Sequence, residues 1–254
     1  MKNKIFCGIV FLLIIIITGF LFFNKKETIA VIGAMDVEID GILSNLSNIS
    51  YSKQNDFNIV KGNFNKYKII LSKSGVGKVN SATTTQFIID KYKPNYIINT
   101  GIAGSLSSNL KPSEIIIAEK MVQYDFDLTK FGYSKGYMYN GIEPNKPTIY
   151  YSDEKLIKLF VKNKYIKKGT IATGDTFVAD MKLKHSIKKD FNADAIDMES
   201  AAIAQTAKRN NIPVIIIRAI SDGLEDTTNE YKQNEKITAL KPTEIIIDIL
   251  RSKK

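Results

Sequence analysis

The sequence predicts an α/β fold with a largely parallel central sheet. Short apolar runs of the kind that form buried strands alternate with segments whose apolar residues recur at helical spacing. Several of these runs end at a glycine, where the backbone can turn tightly. With 254 residues, 44% of them apolar and 24% charged, the chain suits one domain with a sizeable core. We expect an N-terminal hydrophobic helix within residues 1–26, followed by one domain over residues 27–254.

The leader, residues 5–23, contains nineteen residues without a charge. At about 1.5 Å per residue, a helix of this length nearly spans a hydrocarbon core of about 30 Å. No small-x-small cleavage motif follows it, so the pattern favours an uncleaved signal-anchor over a cleaved signal peptide. The sequence therefore predicts a membrane-anchored or exported protein whose body faces outside the cytoplasm, although the flanking lysines do not fix the orientation.

Charge and the rare residue types narrow the class of function. Of the net charge of +10, four units come from lysines that precede Glu27, and the other lysines are dispersed. Basic and aromatic residues do not interleave as they do on nucleic-acid-binding surfaces, so no nucleic-acid partner is predicted. Cys7 is the one cysteine and lies in the leader, and His185 is the one histidine. These counts argue against a disulfide framework, Ser–His catalysis and a Cys or His metal centre. Neither a metal nor a cofactor is predicted.

The body begins with a predicted strand over residues 29–33, which ends at Gly33. A helix should follow, because apolar side chains recur at positions 39, 42, 43 and 46. Asp36 and Glu38 fall in its first turn, where acids favour the helix dipole. On local evidence alone, that is the better interpretation of Glu38.

A second strand over residues 67–73 leads into a small-residue turn at 74–81 and a helix over 82–92. The turn lacks the spacing of a phosphate-binding loop. The next strand, 96–100, ends in the sequence GIAGS at 101–105. Its glycines would let a ligand approach the backbone closely, although a plain tight turn explains them too.

The second half continues the alternation of strands and helices. A strand over residues 114–120 precedes a long aromatic loop, which could line an apolar pocket or cover a subunit interface. Another strand, 169–173, ends in GDTFV at 174–178. A helix over 234–253 closes the chain, with Pro242 expected to mark a kink or a restart.

Two carboxylates lie where an apolar segment meets an Ala-rich helix, in the stretch AIDMESAA at 195–202. Asp197 could be an N-cap with Glu199 solvated, or both acids could serve a ligand. The apolar strand 212–217 likewise ends in a charged cluster, RAISD at 218–222. Because open α/β sheets bind ligands at the carboxyl ends of their strands, five such strand ends predict a small-molecule site. They are residues 33–38, 101–105, 174–178, 197–199 and 218–222.

Taken together, six motifs resemble those of the 5′-methylthioadenosine/S-adenosylhomocysteine nucleosidase family, within the nucleoside phosphorylase and nucleosidase fold. They occur in the family's order and are IGAMDVEI at 32–39, SKSGVGKVNSA at 72–82, INTGIAGSL at 98–106, TGDTFV at 173–178, IDMESAA at 196–202 and VIIIRAISD at 214–222. The resemblance implies a three-layer α/β/α fold whose central sheet is mixed but largely parallel.

The resemblance also implies a reaction: hydrolysis of the N-glycosidic bond of methylthioadenosine and S-adenosylhomocysteine, with 5′-deoxyadenosine as a further candidate substrate. Glu38 matches the base that activates water, and Asp222 matches the acid that protonates adenine N7. Ser221 and Arg218 match groups around the substrate and could orient Asp222. An oxocarbenium-like transition state suits this pair of acids.

The remaining site residues follow from the same resemblance. Glu199 matches the residue that grips the ribose hydroxyls, Phe177 the ring that stacks on adenine, and Val178 a backbone contact to the base. Met35, Gly104 and Met198 match further substrate contacts near the sugar. Family members are homodimers, and Leu128 and Phe131 match positions that complete the 5′-substituent pocket of the partner subunit.

Three features depart from the family's pattern. Ile102 stands where many members have Ser, Asp197 replaces the more usual Glu, and the segment 223–231, in which Tyr231 is the candidate for an aromatic lid, matches poorly. The alternatives are a phosphorylase or another nucleosidase of the same fold, acting for example on AMP or futalosine, and a membrane-anchored nucleoside-binding protein. Phosphate as nucleophile is disfavoured because Glu38 would repel it.

Overall fold

The computed structural model describes residues 26–139, 143–161, 166–225 and 227–252. The ten strands in this part of the chain are β1 Glu27–Gly33, β2 Ser47–Gln54, β3 Phe57–Phe64, β4 Tyr67–Lys73, β5 Tyr96–Ser105, β6 Ile115–Gln123, β7 Tyr150–Tyr151, β8 Ile166–Thr173, β9 Ala195–Asp197 and β10 Val214–Asp222. The helices are α1 Asp40–Leu43, α2 Lys78–Tyr92, α3 Glu154–Phe160, α4 Met181–Phe191, α5 Ser200–Arg209 and α6 Thr227–Ser252. Two 3₁₀ turns cover Asp36–Glu38 and Thr129–Phe131.

All ten strands belong to one sheet, in the order β10-β6-β8-β9-β5-β1-β4-β3-β2, with β7 on β6. The long central pairings, β4–β1–β5–β10 and β6–β8, are parallel, and antiparallel pairings join β10 to β6 and add the hairpin β2–β3 at one edge. Because β10 pairs with β5 as well as β6, the strands β5, β10, β6, β8 and β9 close into a ring. The predicted mixed, largely parallel sheet is therefore present.

Helices cover both faces of the sheet, because successive side chains of a buried strand point to opposite faces. On one face, Ile32 and Ile216 pack with α2 and with the alanines of α5. On the other face, Val31 and Ile217 pack with Ile246 of α6 and with α3. A third apolar cluster lies under α4, around Ile187. This is the three-layer α/β/α arrangement that the sequence predicts.

Several boundaries differ from the predictions. Strands β5 and β10 run on through residues 101–105 and 218–222, because these segments pair with each other, Gly101 opposite Arg218 and Gly104 opposite Asp222. The candidate residues of these two segments thus lie inside strands rather than in the loops that follow. The predicted helix after β1 is broken into the 3₁₀ turn and the short α1. Helix α6 begins at Thr227, earlier than predicted, and continues through Pro242.

The predicted location of the protein needs correction. We expected a membrane-anchored or exported protein, but within the described ranges no helix is both long enough and apolar enough to cross a membrane. The expected anchor itself, residues 5–23, lies outside the described residues. Within the part of the chain that the structure describes, the prediction of a membrane-anchored or exported protein is thus contradicted.

Candidate active site

One pocket opens where β1, β5, β9 and β10 end and where the turn after β8 folds back. Its lining contains most of the predicted site residues: Met35, Glu38, Ile102, Gly104, Phe177, Val178, Asp197, Met198, Glu199, Ser221, Asp222 and Tyr231. Ala34, Val76, Ala103, Thr176 and Ile196 complete it. The fold thus brings together residues as far apart in the sequence as Ala34 and Tyr231.

Glu38 lines this pocket and is 3% exposed. Its Oε2 accepts hydrogen bonds from the backbone N–H groups of Ala34 at 2.6 Å and Met35 at 3.0 Å, and its Oε1 accepts one from Ile102 at 3.1 Å. Burial raises the pKa of Glu38, against the opposing effects of Arg218 and the three N–H groups. The replacement of Ser by Ile at position 102 leaves the backbone bond to Glu38 in place.

Arg218 is fully buried behind the pocket wall and forms an ion pair with Asp197. Its Nε and Nη2 lie 2.9 Å and 2.8 Å from the Oδ2 of Asp197, and Nη2 lies 3.8 Å from Glu199. In a strand, residues four apart are separated by about 13 Å. Arg218 therefore contacts Asp197 rather than Asp222, so the structure does not place Arg218 where it was predicted to orient Asp222.

Asp197 connects the strand β9 to its neighbours. Besides Arg218, it accepts hydrogen bonds from the hydroxyl of Thr173 at 2.6 Å and from the backbone N–H and the hydroxyl of Ser200, at the start of α5. The N-cap of α5 is Glu199 rather than Asp197, as one interpretation of the sequence predicted, but the Asp197 side chain still accepts the first N–H of the helix in addition to its ion pair. Although Asp is one methylene shorter than the Glu that is more usual here, its side chain is long enough to hydrogen-bond to Arg218.

Glu199 is a second buried carboxyl group close to Arg218. Its Oε1 accepts a hydrogen bond from the backbone N–H of Gly77 at 2.9 Å. Burial and then the neighbouring Asp197 raise the pKa of Glu199 to about 7, while Arg218 opposes the shift. Glu199 is therefore buried rather than solvated, and it lines the pocket while its Oε2 lies 3.8 Å from Nη2 of Arg218.

The turn after β4, which contains Gly77, is held beside Glu199 by its contacts with the turn after β8. The backbone N–H of Lys78 donates to Asp175 at 2.7 Å, and the Lys78 ammonium pairs with Asp125 at 2.6 Å. Asp125 also accepts the backbone N–H of Asp175 at 3.0 Å. This cluster joins the turn that holds Gly77 to the turn that holds Phe177.

Gly101 marks the point where Glu38 and Arg218 approach each other. A Cβ at this position would lie 2.8 Å from Oε1 of Glu38 and 2.7 Å from Nη1 of Arg218. Nη1 is buried and has no hydrogen-bond partner among the described residues. The backbone must therefore carry no side chain here if the two charged groups are to keep these positions.

Asp222 is buried at the end of β10. Its Oδ1 accepts a hydrogen bond from the Ser221 hydroxyl at 2.6 Å, which agrees with the orienting role predicted for Ser221. A Cβ at Gly104 would lie 3.0 Å from Oδ2 of Asp222, so the carboxyl group packs directly on that glycine. The ammonium of Lys184 lies 3.4 Å from the same Oδ2. Lys184 was not predicted as a site residue.

Aromatic rings form the outer wall of the pocket. Phe177 is 47% exposed, and its ring meets that of Tyr231 edge to face, with centroids 5.2 Å apart and planes at 75°. Val178 lies buried beside Phe177. Tyr231 thus lies at the mouth of the pocket, where an aromatic lid would be.

Leu128 and Phe131 do not line this pocket and lie at the 3₁₀ turn that follows β6. Phe131 is 77% exposed. Within the described ranges, no group of three or more His, Cys, Asp or Glu side chains is arranged to hold a metal ion.

The phosphorylase superfamily is the family whose sequence model matches, over residues 28–251. A 5′-methylthioadenosine/S-adenosylhomocysteine nucleosidase of Buchnera aphidicola from Acyrthosiphon pisum is 40% identical over 232 residues, which cover 88% of this chain and 97% of that protein.

Two solved structures have the same fold over almost their whole length. A 5′-methylthioadenosine/S-adenosylhomocysteine nucleosidase from Neisseria meningitidis, in complex with methylthio-immucillin-A, is 32% identical, with a TM-score of 0.82 over 89% of this chain and 99% of that chain. A futalosine hydrolase of Helicobacter pylori is 26% identical, with a TM-score of 0.83 over 89% of this chain and 98% of that chain.

Proposed function

The chain belongs to the phosphorylase superfamily and, within it, to the 5′-methylthioadenosine/S-adenosylhomocysteine nucleosidases, and we propose that Glu38 and Asp222 are its catalytic base and acid. The protein is an enzyme that hydrolyses the N-glycosidic bond of methylthioadenosine and S-adenosylhomocysteine. The products are adenine and the 5-substituted ribose. The observation that carries the assignment is that two buried carboxyl groups, Glu38 from the 3₁₀ turn after β1 and Asp222 from the end of β10, line one pocket with Glu199 and Phe177.

In the proposed reaction, the bond between C1′ and N9 breaks and its electron pair moves to the adenine ring. Asp222 gives its proton to N7, so that adenine leaves as a neutral molecule. Glu38 takes a proton from water, and the hydroxide oxygen bonds to C1′. Asp222 ends ionised and Glu38 protonated, and exchange with solvent restores both.

The environment of Glu38 suits a general base. A carboxylate in water is a weak base near neutral pH, and burial raises the pKa of Glu38 toward the range in which it can accept a proton. The N–H groups of Ala34, Met35 and Ile102 fix the carboxylate in one orientation. Its negative charge would also stabilise the positive charge that develops at C1′.

Substrate binding follows from the walls of the pocket. Glu199 lines the pocket, and the single hydrogen bond that its Oε1 accepts from Gly77 leaves the carboxylate able to accept hydrogen bonds from vicinal ribose hydroxyls. The half-exposed ring of Phe177 offers a face on which adenine can stack. Met35, Met198 and Gly104 lie around the position that the sugar would then occupy.

Water rather than phosphate is the proposed nucleophile, because the carboxylate of Glu38 would repel phosphate from the position of the nucleophile. Arg218, which could attract phosphate, is engaged by Asp197. A futalosine hydrolase activity is the second candidate, since a protein with that activity has the same fold.

We propose a homodimer in which Leu128 and Phe131 complete the 5′-substituent pocket of the partner subunit. Support comes from exposed apolar side chains: Val76, which lines the pocket and is 47% exposed, and Val79 and Phe131, which are 73% and 77% exposed. Apolar exposure of this kind is typical of surfaces that associate.

Adenine release by the purified full-length protein tests the function. Methylthioadenosine, S-adenosylhomocysteine and futalosine would each be supplied with and without phosphate, and the products separated by chromatography. We expect release of adenine without phosphate, and a loss of about 10²–10⁴-fold in kcat for Glu38→Gln and for Asp222→Asn. The control is Glu119→Gln, which removes an exposed carboxylate paired with Lys168. A strict requirement for phosphate, or full activity of either catalytic variant, would contradict the proposal.

A further inference from the structure

Lys184 is an unusual residue of helix α4, because its side chain is fully buried. The ammonium donates to the backbone carbonyl of Gly223 at 2.7 Å, lies 3.5 Å from the carbonyl of Leu224, and lies 3.4 Å from Oδ2 of Asp222. Lys188, one turn further along the helix, is in contrast partly exposed and pairs with Asp194. Burying an ammonium group carries a large desolvation cost unless charged and polar partners surround it.

We propose that Lys184 is a positioning residue for Asp222, which holds the carboxyl group in place and stabilises the negative charge that forms when Asp222 gives up its proton. The inference rests on the proposed role of Asp222 as the acid. Lys184 acts through Asp222 and does not line the pocket.

The geometry divides the two oxygens of Asp222 between two donors. Ser221 donates to Oδ1 at 2.6 Å, and the ammonium of Lys184 faces Oδ2. Two donors on one carboxyl group favour its ionised form. In the proposed reaction, the O–H bond of Asp222 breaks and an N–H bond forms at N7, so the ionised form is the product of this step. The ammonium therefore stabilises the end of the proton transfer more than its beginning.

The contacts to Gly223 and Leu224 give Lys184 a second effect. These residues follow Asp222 directly and lead into α6, which holds Tyr231 at the pocket mouth. A single ammonium thus fixes both the acid and the backbone after it.

Other titratable groups face this region from neighbouring elements. Tyr231 of α6 interacts with Asp222, and burial followed by Glu235 raises the pKa of Tyr231. Glu38 also acts on Tyr231 across the pocket. On α4, His185 is exposed and its ring hydrogen-bonds the carbonyl of Met181. Among these groups, Lys184 is the one whose positive charge lies against the carboxyl group of Asp222.

The test compares Lys184→Met with the wild type over a range of pH. Asp222 must be protonated to act, so activity falls on the alkaline side as it ionises. Without the ammonium, Asp222 should keep its proton to higher pH. We expect the alkaline limb of kcat for methylthioadenosine to move up by about 1–3 pH units. We also expect kcat at the optimum to fall at least about tenfold, with a smaller change in KM. The loss of a residue that only supports the fold would not shift the alkaline limb of kcat to higher pH.

Three further variants make the result decisive. Lys188→Met removes a lysine from the same helix and should leave the profile unchanged. In an Asp222→Asn background, Lys184→Met should lower the residual kcat by less than about twofold, because the two act as one unit. Lys184→Gln replaces Lys184→Met if thermal melting shows that the methionine variant is unfolded.

Each outcome has one meaning. An unchanged alkaline limb in the Lys184 variant, together with a large loss in Asp222→Asn, would overturn this inference and leave the role of Asp222 intact. Full turnover by Asp222→Asn would instead overturn the proposed acid, and the inference with it.

Discussion

Replacing Glu199 with Gln should stabilise the protein above pH 7 while it weakens substrate binding. Burial and Asp197 raise the pKa of Glu199 from 4.5 to about 7, so the folded state favours the protonated carboxyl group. Such a group stabilises the fold fully below about pH 4.5, and this contribution is lost as the pH rises through 7. Gln is neutral throughout and can still accept the hydrogen bond from Gly77.

The size of the effect follows from the shift. A change of roughly 2.5 pKa units corresponds to about 3 kcal/mol in the free energy of unfolding, as an upper limit for a group coupled to Asp197 and Arg218. At pH 8.5 the variant should therefore be more stable than the wild type by up to about 3 kcal/mol. At pH 5 the two proteins should differ by less than about 1 kcal/mol, because folded Glu199 is then already protonated.

Urea denaturation at pH 5 and pH 8.5, at one protein concentration, measures both differences. Glu119→Gln is the matched control, since its carboxylate is exposed and pairs with Lys168 at the surface. It should change stability by less than about 1 kcal/mol at both values. If Glu199→Gln were less stable than the wild type at pH 8.5, or if the difference did not depend on pH, the argument from burial would be refuted.

Two other substitutions test the arrangement behind the pocket. Gly101→Ala should lower stability by about 1–3 kcal/mol and kcat by about 10²-fold, because the new methyl group would displace Glu38 or Arg218, and steady-state kinetics with urea denaturation would show both losses. Asp197→Asn should lower the free energy of unfolding by about 3–5 kcal/mol, because it leaves Arg218 buried without its ion pair. Asp36→Asn, which breaks the exposed pair with Lys73, should cost less than about 1 kcal/mol in the same assay.

The strands and the region of the site could be predicted because each is indicated by residues that lie close together in the sequence. A buried parallel strand is a short apolar run, and the residues at its carboxyl end share an edge of the sheet with those of its neighbours. The resemblance then identified which of these residues meet. Glu38 shows the limit of local reasoning, since acids in a first helical turn are common and only its burial separates it from them.

The remaining features depend on contacts between distant parts of the chain. Lys184 lies in the sequence KLKHSIKK, which reads as a solvated helix surface, and only the packing of α4 against the loop after β10 buries it. The bond from Gly77 to Glu199 joins residues 122 apart. Strand β2 escaped prediction because its side chains are mostly exposed and polar, so it has no apolar run to detect.

The closed ring of strands also constrains the order in which the protein can assemble. Strand β10 pairs with both β5 and β6, and its residues Val214 and Asp222 are opposite residues more than 110 positions earlier in the chain. During synthesis, the edges of β5 and β6 that pair with β10 therefore stay unpaired until residue 222 has left the ribosome. Pairings of such long range form slowly, and unpaired edges invite association with other chains. Strand β10, which carries Asp222, is thus also the strand that covers these unpaired edges. The sheet is completed and the proposed acid reaches the site in the same step.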